Sequence, residues 1–335
     1  MRDGHAGSGE APSAGDAIAA DTAAFRRYLR AKRSVDDRAL DRRLLGIFRE
    51  RLAERTASTP GPLRVLEAGA GIGTMVARLI DWEVLPPGET RYVAVDRDAG
   101  ALAGAEPFLR EWAASRGEPA SVDDSDGDAF VVETDARTVA VEPVAADAVA
   151  FAGERSGEFD GLIGMALLDV LDLDGLDALL GALAPGGTYY FPIAFDGGTR
   201  FRPSHPDDRA IERLYHRHMD EKPGGDSRAG GAALARLREA DGSTLLGAAG
   251  SDWVVRPIDG EDGYPGDEAF FLRHILDTVE EAVGEVLAAD GETKSSISVA
   301  DFDDWLESRR KQVDAGELVY LTHQLDLLGR VDGDA

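Results

Sequence analysis

A strand that turns into a helix through three closely spaced glycines is the feature that most constrains the fold of this chain. Branched apolar residues at positions 65 and 66 lead to Glu67, and glycines follow at positions 69, 71 and 73. Glycine tolerates unusual backbone angles and lets a ligand approach the main chain. The run matches neither the dinucleotide-binding pattern G-x-G-x-x-G nor a phosphate-binding loop with its lysine. It therefore predicts a buried strand, a ligand-binding loop and a helix.

Acidic residues close two later runs that are typical of β-strands. Arg91–Asp96 is β-rich and ends 23 residues after Gly73, and Phe130–Asp135 also ends in an acid. In doubly wound folds the acid that closes the second strand accepts hydrogen bonds from ribose hydroxyls. Solvated acids at strand ends are also common in so acidic a protein, so the functional interpretation depends on their position after the glycine loop.

Two further segments complete the series. Phe159–Asp169 is predicted as the fourth strand and the loop after it, and Leu183–Phe191 contains a Pro-Gly-Gly turn into an aromatic fifth strand. With the E-x-G-x-G-x-G loop and the two strands that end in acids, residues 62–195 resemble the class I methyltransferases that use S-adenosylmethionine (SAM). The resemblance implies an α/β fold with a doubly wound seven-stranded sheet. Its order would be 3-2-1-4-5-7-6, with strand seven antiparallel.

The resemblance also implies a set of cofactor-binding residues. The backbone of the glycine loop would contact the methionine and ribose parts of SAM, Asp96 the ribose hydroxyls, and Asp135 the adenine. The full expected set is Glu67, Gly69, Ala70, Gly71, Gly73, Asp96, Arg97, Asp135, Ala136 and Met165. The implied reaction is in-line transfer of the SAM methyl group to an acceptor, with S-adenosylhomocysteine (SAH) as the product.

Two helices are predicted before the first strand, between about residues 16 and 56, because apolar residues recur there at helical spacing. Ser34 with Asp37 resembles a capping pair at the start of the second helix. In the family such helices often fold over the SAM pocket, so residues 16–58 are expected to form a lid. Residues 32–38 could meet the SAM carboxylate or the acceptor, or could form a solvated turn.

The part of the sequence after the fifth strand resembles the family less clearly. Ser251–Pro257 is predicted as strand six and Leu318–Leu325 as strand seven, with two amphipathic helices between them. The family usually joins these strands tightly, so residues 260–315 are expected to be a helical insertion. We expect its helices to lie together over the carboxyl ends of the strands. The methyltransferase domain would then span residues 62–335.

Candidate acceptor-site residues lie on a polar helix and turn after the fifth strand. His216 and His218 are candidate general bases because imidazole titrates near neutrality, although His218 could equally be a core histidine. Asp220, Ser227 and Arg228 follow as candidate substrate residues. We expect at least two of these five side chains to line the cavity over the methyl group.

If these five side chains point elsewhere, the acceptor site is expected around Tyr264 and His323. Tyr264 begins the insertion together with Phe270 and His274, and each of these could equally belong to the core. A metal site needs three or four ligands, and no second cluster accompanies the histidines, so no metal is expected.

The acceptor itself is open at this point. Met165–Asp169 lacks the Asn/Asp-Pro-Pro-Tyr/Phe pattern of enzymes that methylate adenine or glutamine, and the acids that aminopropyltransferases need are not evident. A small metabolite is therefore the default acceptor. RNA, protein, and a non-catalytic role as a SAM-binding sensor or partner subunit are the alternatives.

The composition of the chain indicates its environment and its possible partners. The net charge is −27, from 63 acids against 36 bases, and such an acidic, lysine-poor chain resembles haloarchaeal cytoplasmic proteins. The acidity argues against a nucleic-acid partner, but at about 1 M salt the Debye length is only about 3 Å and this argument weakens. Without cysteine there is no disulfide or thiolate chemistry, and no apolar run approaches the ~20 residues of a membrane span. Residues 1–15 are predicted to be disordered, and the protein is expected to be a monomer or homodimer.

Overall fold

Strands and helices alternate through the first two thirds of the chain, as a doubly wound fold requires. A computed structural model describes residues 14–117, 119–124, 129–258, 260, 263–290 and 297–333. The helices in these ranges are α1 (Ala14–Ala39), α2 (Arg42–Ser58), α3 (Thr74–Asp81), α4 (Ala99–Leu102), α5 (Ala105–Ser115), α6 (Ala148–Gly153), α7 (Leu176–Gly181), α8 (Asp208–Glu221), α9 (Ala229–Glu239), α10 (Glu268–Asp290) and α11 (Val299–Asp314). The strands are β1 (Leu63–Ala68), β2 (Gly88–Asp96), β3 (Ala120–Asp124), β4 (Phe130–Thr134), β5 (Arg137–Ala145), β6 (Phe159–Ile163), β7 (Leu183–Phe195), β8 (Arg200–Arg202), β9 (Ser243–Gly250), β10 (Trp253–Val255), β11 (Val319–Thr322) and β12 (Gln324–Val331).

The main sheet has the order β3-β4-β5-β2-β1-β6-β7-β12-β9 among the described strands. Strands β5, β2, β1, β6 and β7 run parallel, and β12 is antiparallel to both of its neighbours, β7 and β9. The seven strands from β5 to β9 therefore have the predicted order 3-2-1-4-5-7-6 with strand seven antiparallel, which confirms the predicted fold class. β3 and β4 extend the sheet beyond it as an antiparallel ribbon.

The segment predicted as the third strand of the series is the neighbour of the strand that occupies that position. Phe130–Thr134 is β4, and it forms an antiparallel hairpin with β5. It is β5 that pairs in parallel with β2, along the whole length from Gly88 to Asp96. Both runs are rich in β-branched residues, so local pattern does not distinguish them. The pairing with β2 is decided by contacts distant in sequence.

Strands six and seven were also placed on the wrong segments. Within the predicted segments Ser251–Pro257 and Leu318–Leu325, β10 and β11 join β8 in a separate three-stranded sheet. The main sheet instead uses β9 and β12. β9 contains the run Leu-Gly-Ala-Ala-Gly, whose residues have low strand propensity. A Cβ at Gly247 would lie 2.6 Å from Leu44 Cδ2, so close packing against α2 explains the glycine at position 247.

The core lies on both faces of the sheet, and strand residues alternate between them as the period of two requires. Tyr190 packs in the cluster with α2, α3 and α5, whereas Tyr189 and Phe191 pack in the cluster with α6, α7 and α9. Beyond the carboxyl ends of the strands, the first cluster continues into α1, α8, α10, α11 and the small sheet. We call this second layer the cap.

The N-terminal helices differ from expectation at their boundary. α1 continues to Ala39, so Ser34 lies within it and the predicted capping pair with Asp37 is wrong. Asp41 caps α2 instead, and its carboxylate accepts a hydrogen bond of 2.7 Å from the Leu44 amide. Within this continuous helix, Lys32 and Asp36, four residues apart, form a buried ion pair. Of the N-terminus predicted to be disordered, residues 1–13 lie outside the described residues.

The two helices of the predicted insertion pack against each other, and α10 also contacts α1 and α8. α10 reaches the carboxyl end of the sheet, while α11 packs behind it. No helix in the described part of the chain is long and apolar enough to cross a membrane.

Candidate functional site

A cavity of about 1070 Å³ lies between the carboxyl ends of the central strands and the cap. Its sheet side is lined by the glycine loop, by the residues that follow β2 and β5, and by the loop after β6. Its cap side is lined by residues of α1, α8, α10, β10 and β11. Single small-molecule sites usually measure about 300–1,000 Å³, so this cavity lies at the upper end of that size range.

The glycine loop forms one wall because its backbone adopts left-handed angles. The φ angles of Gly69, Gly71 and Gly73 are 77°, 53° and 74°, a region that residues with a Cβ rarely adopt. Gly73 is also the residue before α3. A Cβ on Gly71 would lie 3.1 Å from Leu29 Cδ1 of the cap helix α1. Glycine therefore serves both the turn and the close approach of the cap.

Asp96 ties the glycine loop to the end of β2. Its Oδ2 accepts a hydrogen bond of 2.8 Å from the Gly71 amide, and its Oδ1 accepts one of 2.9 Å from the Asp98 amide. Each carboxylate oxygen has two lone pairs, so both can accept a further bond from a ligand. Asp96 and Arg97 line the cavity, as do Glu67, Ala70 and Met165 of the predicted set.

The structure does not bring the predicted adenine contacts, Asp135 and Ala136, to the cavity. These residues form the turn between β4 and β5, and the Ala136 carbonyl accepts a hydrogen bond from the amide of Gly88, the first residue of β2. They therefore lie at the opposite edge of the sheet from the cavity. The true carboxyl end of β5 leads to Asp147, Ala148 and Val149, which do line the cavity. The β-rich run of β5, followed by a helix-capping aspartate, is the signal that could have identified them.

Glu67 lies beneath the loop as a buried acid. It is 2% exposed, and its Oε2 accepts a hydrogen bond of 2.7 Å from the Tyr92 hydroxyl. Burial raises the pKa of Glu67 to about 8, although the Tyr92 hydrogen bond and the charge of Arg78 oppose the rise. Glu67 is therefore largely protonated at neutral pH.

The charged residues of α1 form a compact network at the cap side of the cavity. Lys32 Nζ bonds both carboxylate oxygens of Asp36, at 3.0 and 2.9 Å. Asp36 also accepts hydrogen bonds from Trp253 Nε1, at 3.0 Å, and from the fully buried Arg78, at 3.3 Å. Arg78 Nε in turn bonds Asp37 at 2.5 Å. Arg33 of α1 also lies 3.9 Å from Asp37 and 3.0 Å from Asp81. The network joins α1 to α3 and β10.

The rest of the cap side is an aromatic chamber, which we define by Tyr28, Asp169, Tyr215, Trp253, Tyr320 and Gln324. None of these was predicted as a site residue, because they are scattered along the chain and only the tertiary fold brings them together. Burial raises the pKa of the three tyrosines, to about 12 for Tyr215, and carboxylates near Tyr28 and Tyr215 raise it further. The tyrosine hydroxyls are therefore neutral at ordinary pH.

Two oxygen atoms in the aromatic chamber lack a hydrogen-bond donor among the described residues. Asp169 Oδ1 and Gln324 Oε1 are buried without a partner. Burial raises the pKa of Asp169 to about 6, while its own backbone amide and then the charge of Lys32 oppose the rise. Buried acceptors without a donor are rare in native proteins and each costs free energy. Both oxygens therefore keep a capacity to accept a hydrogen bond that no described residue uses.

The predicted catalytic histidines do not line the cavity. His216 Nε2 lies 3.1 Å from the Thr199 hydroxyl, and burial lowers the pKa of its ring. His218 Nε2 lies 2.7 Å from Glu285 on α10. On α8 it is Tyr215 and Met219 that line the cavity. Each residue turns the helix by about 100°, so positions 216 and 218 lie on other faces.

The predicted substrate residues are structural or exposed. The Asp220 carboxylate accepts a hydrogen bond of 2.8 Å from the Ser227 amide, and Arg228 is exposed. The Tyr264 hydroxyl donates to the Leu318 carbonyl at 2.8 Å, and His323 Nδ1 lies 2.8 Å from an Asp252 oxygen. None of these five lines the cavity, and neither do His216 and His218. The expectation that at least two of the five candidates on α8 and the turn after it form the cavity wall is therefore wrong. The alternative residues, Tyr264 and His323, do not line the cavity either. Within the described residues no group of three or more His, Cys, Asp or Glu side chains could hold a metal ion.

No protein-family model matches the chain, and no curated protein matches it. Among solved structures, it is similar to the cyclopropane synthase MmaA2 from Mycobacterium tuberculosis, at 12% identity over 85% of this chain and 82% of that chain, with a TM-score of 0.40. It is also similar to phosphoethanolamine N-methyltransferase 2 from Haemonchus contortus, solved with SAM, at 15% identity over 85% of this chain and 52% of that chain, with a TM-score of 0.36. The YcgJ protein from Bacillus subtilis matches at 12% identity over 88% of this chain and all of that chain (100%), with a TM-score of 0.43. At these identities the likeness concerns the fold alone.

Proposed function

We propose that the protein is a SAM-dependent methyltransferase that acts on a small-molecule acceptor. The main support is that the glycine loop, Asp96 and the residues after β5 meet at one end of a cavity whose other end is the aromatic chamber. The first group has the chemistry to bind a nucleoside with a polar tail. The second offers a separate chamber for the group to be modified.

The residues present fit SAM. The left-handed glycine loop allows a ligand to approach the backbone, and Asp96 keeps lone pairs free for the ribose hydroxyls. We assign the adenine end to Ala148 and Val149, which follow β5, in place of Asp135. Lys32 is engaged by Asp36, so the backbone of the glycine loop is the better candidate for the methionine end.

When bound, SAM supplies a methyl group on a sulfonium sulfur, which is already a good leaving group. The chain's own residues therefore need to bind and orient the acceptor and to exclude water, which is catalysis by proximity and desolvation. The cap residues Leu29, Tyr215 and Ile275 line the cavity opposite the strands and can exclude water from it. A nucleophile on the protein is not needed.

The position of the chamber favours a small acceptor over RNA or a protein chain. It lies between the sheet and the cap, and its walls come from α1, α8 and the small sheet. The unpartnered oxygens of Asp169 and Gln324 favour an enzyme over a sensor, because they leave polar groups ready for a second ligand beside the SAM end.

Calorimetry and a label-transfer assay test the proposal. The purified chain in molar KCl is titrated with SAM, SAH and, as a control nucleotide, NAD. We expect one-to-one binding of SAM and SAH and none of NAD. SAM labelled on its methyl group is then incubated with cell extract separated into small molecules, RNA and protein. Label in the small-molecule fraction supports the proposal. A folded chain that binds neither SAM nor SAH, or label only in RNA or protein, contradicts it.

A further inference from the structure

One carboxylate of the aromatic chamber, that of Asp169, is not part of the charged network of α1. The cations Lys32 and Arg78 are held by Asp36 and Asp37 in the network described above. Asp169 also lines the chamber, but its Oδ1 has no donor among the described residues. A carboxylate without a partner in a low-dielectric site is costly, and a cationic ligand would offset that cost.

Hydrogen-bonding capacity points in the same direction. Gln324 is 2% exposed, and its Oε1 likewise lacks a donor in the part of the chain that the structure describes. Both atoms are acceptors, so a complementary ligand must bring N–H or O–H donors. Only a charged donor satisfies the carboxylate both electrostatically and by hydrogen bonding, and such bonds are about twice as strong as neutral ones.

The aromatic residues favour a cation as well. Tyr28, Tyr215 and Tyr320 line the chamber, and Tyr rings attract cations placed over their faces. The Trp253 ring also lines it, but the Lys32 ammonium already lies 5.0 Å from the centroid of that ring. Because burial raises the pKa of the three tyrosines, their hydroxyls stay neutral. The tyrosines therefore do not supply the negative charge that would balance a cationic ligand. The chamber thus combines one free acidic group with several neutral aromatic walls.

We infer that the acceptor is a small organic amine, bound as its ammonium ion between Asp169 and the aromatic rings of the chamber, with Gln324 accepting a second N–H bond. This inference rests on the proposed function, because it names the class of acceptor for the same cavity. It replaces the predicted site at His216 and His218.

Asp169 would also prepare the amine for methylation. An ammonium nitrogen has no lone pair, so one N–H bond must break before the nitrogen can attack a methyl carbon. The proton moves to an Asp169 oxygen, and the electron pair of the broken bond stays on the nitrogen. The raised pKa of Asp169, about 6, makes this carboxylate a better proton acceptor than an ordinary aspartate.

Pairs of ligands that have the same shape but differ in charge test the inference. Each pair consists of a primary amine and the alcohol with the same carbon skeleton, for example benzylamine with benzyl alcohol and cyclohexylamine with cyclohexanol. Each probe is titrated calorimetrically into the full chain saturated with SAH, in molar KCl. Buried ion pairs are screened far less than exposed ones, so the amine should still bind at this salt concentration.

We expect at least one amine to bind about tenfold or more tightly than its alcohol, as a charged hydrogen bond predicts. Asp169→Asn keeps the shape of the side chain and should reduce this preference to about twofold or less. Asp174→Asn is the matched control, since it removes the same charge from an exposed acid at the rim of the cavity, paired with Arg236. It should leave the preference unchanged.

Three results would overturn the inference. The first is that amines bind no better than alcohols at millimolar concentration. The second is that the preference survives in Asp169→Asn. The third is that Asp169→Asn weakens the binding of SAH and not that of the amine. The last result would assign Asp169 to the ammonium group of the cofactor. All three require that SAH binds the wild-type chain, so they are distinct from a failure of the proposed function, in which SAH does not bind.

Discussion

Replacing Glu67 by glutamine tests the buried acid beneath the glycine loop. Glu67 is almost wholly buried and accepts a hydrogen bond from the Tyr92 hydroxyl. Burial raises the pKa of Glu67 from 4.5 to about 8. The folded protein therefore keeps this carboxyl protonated at pH values where the unfolded chain ionises it. Glu67→Gln retains the shape and the acceptor oxygen but does not titrate.

The direction and size of the effect follow from proton linkage. The folded state binds more protons than the unfolded state between pH 4.5 and about 8, so the free energy of unfolding falls as pH rises through this window. At about 1.36 kcal/mol per pKa unit, raising the pH from about 5 to about 8 removes about 3.5 kcal/mol of wild-type stability through Glu67. In Glu67→Gln this contribution is absent, and the other titrating groups are the same.

Urea unfolding of the wild type and of Glu67→Gln at the two pH values, in the same KCl concentration, measures the difference. We expect the wild type to lose about 3.5 kcal/mol more than the variant. Tyr92→Phe provides a second check. The Tyr92 hydrogen bond lowers the pKa of Glu67, so its removal should raise that pKa further. The loss of stability should then continue to a higher pH than in the wild type. Equal pH dependence of the wild type and Glu67→Gln would refute the reasoning.

Three further variants test the site. Asp96→Ala should raise the SAH dissociation constant about tenfold or more, because a charged hydrogen bond is lost. Asp135→Ala, at the opposite edge of the sheet, should change that constant by about twofold or less. Calorimetry that shows equal effects of the two variants would contradict the placement of the SAH site. Gly71→Ala should lower the free energy of urea unfolding by about 1–2 kcal/mol, because its φ of 53° is unfavourable for alanine; an unchanged value would argue against that loop geometry. His218→Gln should leave SAH affinity and label transfer unchanged, since His218 contacts Glu285 outside the cavity; a large loss of transfer would restore it as a catalytic candidate.

The sequence predicts the glycine-loop side of the cavity because that side is built from local signals. β1, the glycine loop and the acid at the end of β2 are contiguous motifs, and backbone angles at Gly69 and Gly71 explain why glycine stands there. The prediction placed Asp135 near the adenine because two adjacent runs both have the pattern of a strand. Only the nonlocal pairing of β5 with β2 decides which one ends at the cavity.

The aromatic chamber could not be predicted in the same way. Tyr28, Asp169, Trp253 and Tyr320 are far apart in the sequence, and each belongs to a different element. Their common position depends on the packing of α1 against α10 and on the small sheet of β8, β10 and β11. The polar appearance of α8 was misleading, because its buried face presents Tyr215 and not the histidines to the cavity.

Hydrogen–deuterium exchange of the full chain, with and without saturating SAH, tests the central claim most directly. The account predicts slower exchange in residues 69–73, 96–98 and 146–149, which surround one end of the cavity. The hairpin turn at Asp135 and Ala136 should exchange at the same rate in both samples, because it lies at the other edge of the sheet. Protection confined to the hairpin turn, or no protection of the glycine loop at full SAH saturation, would contradict the account.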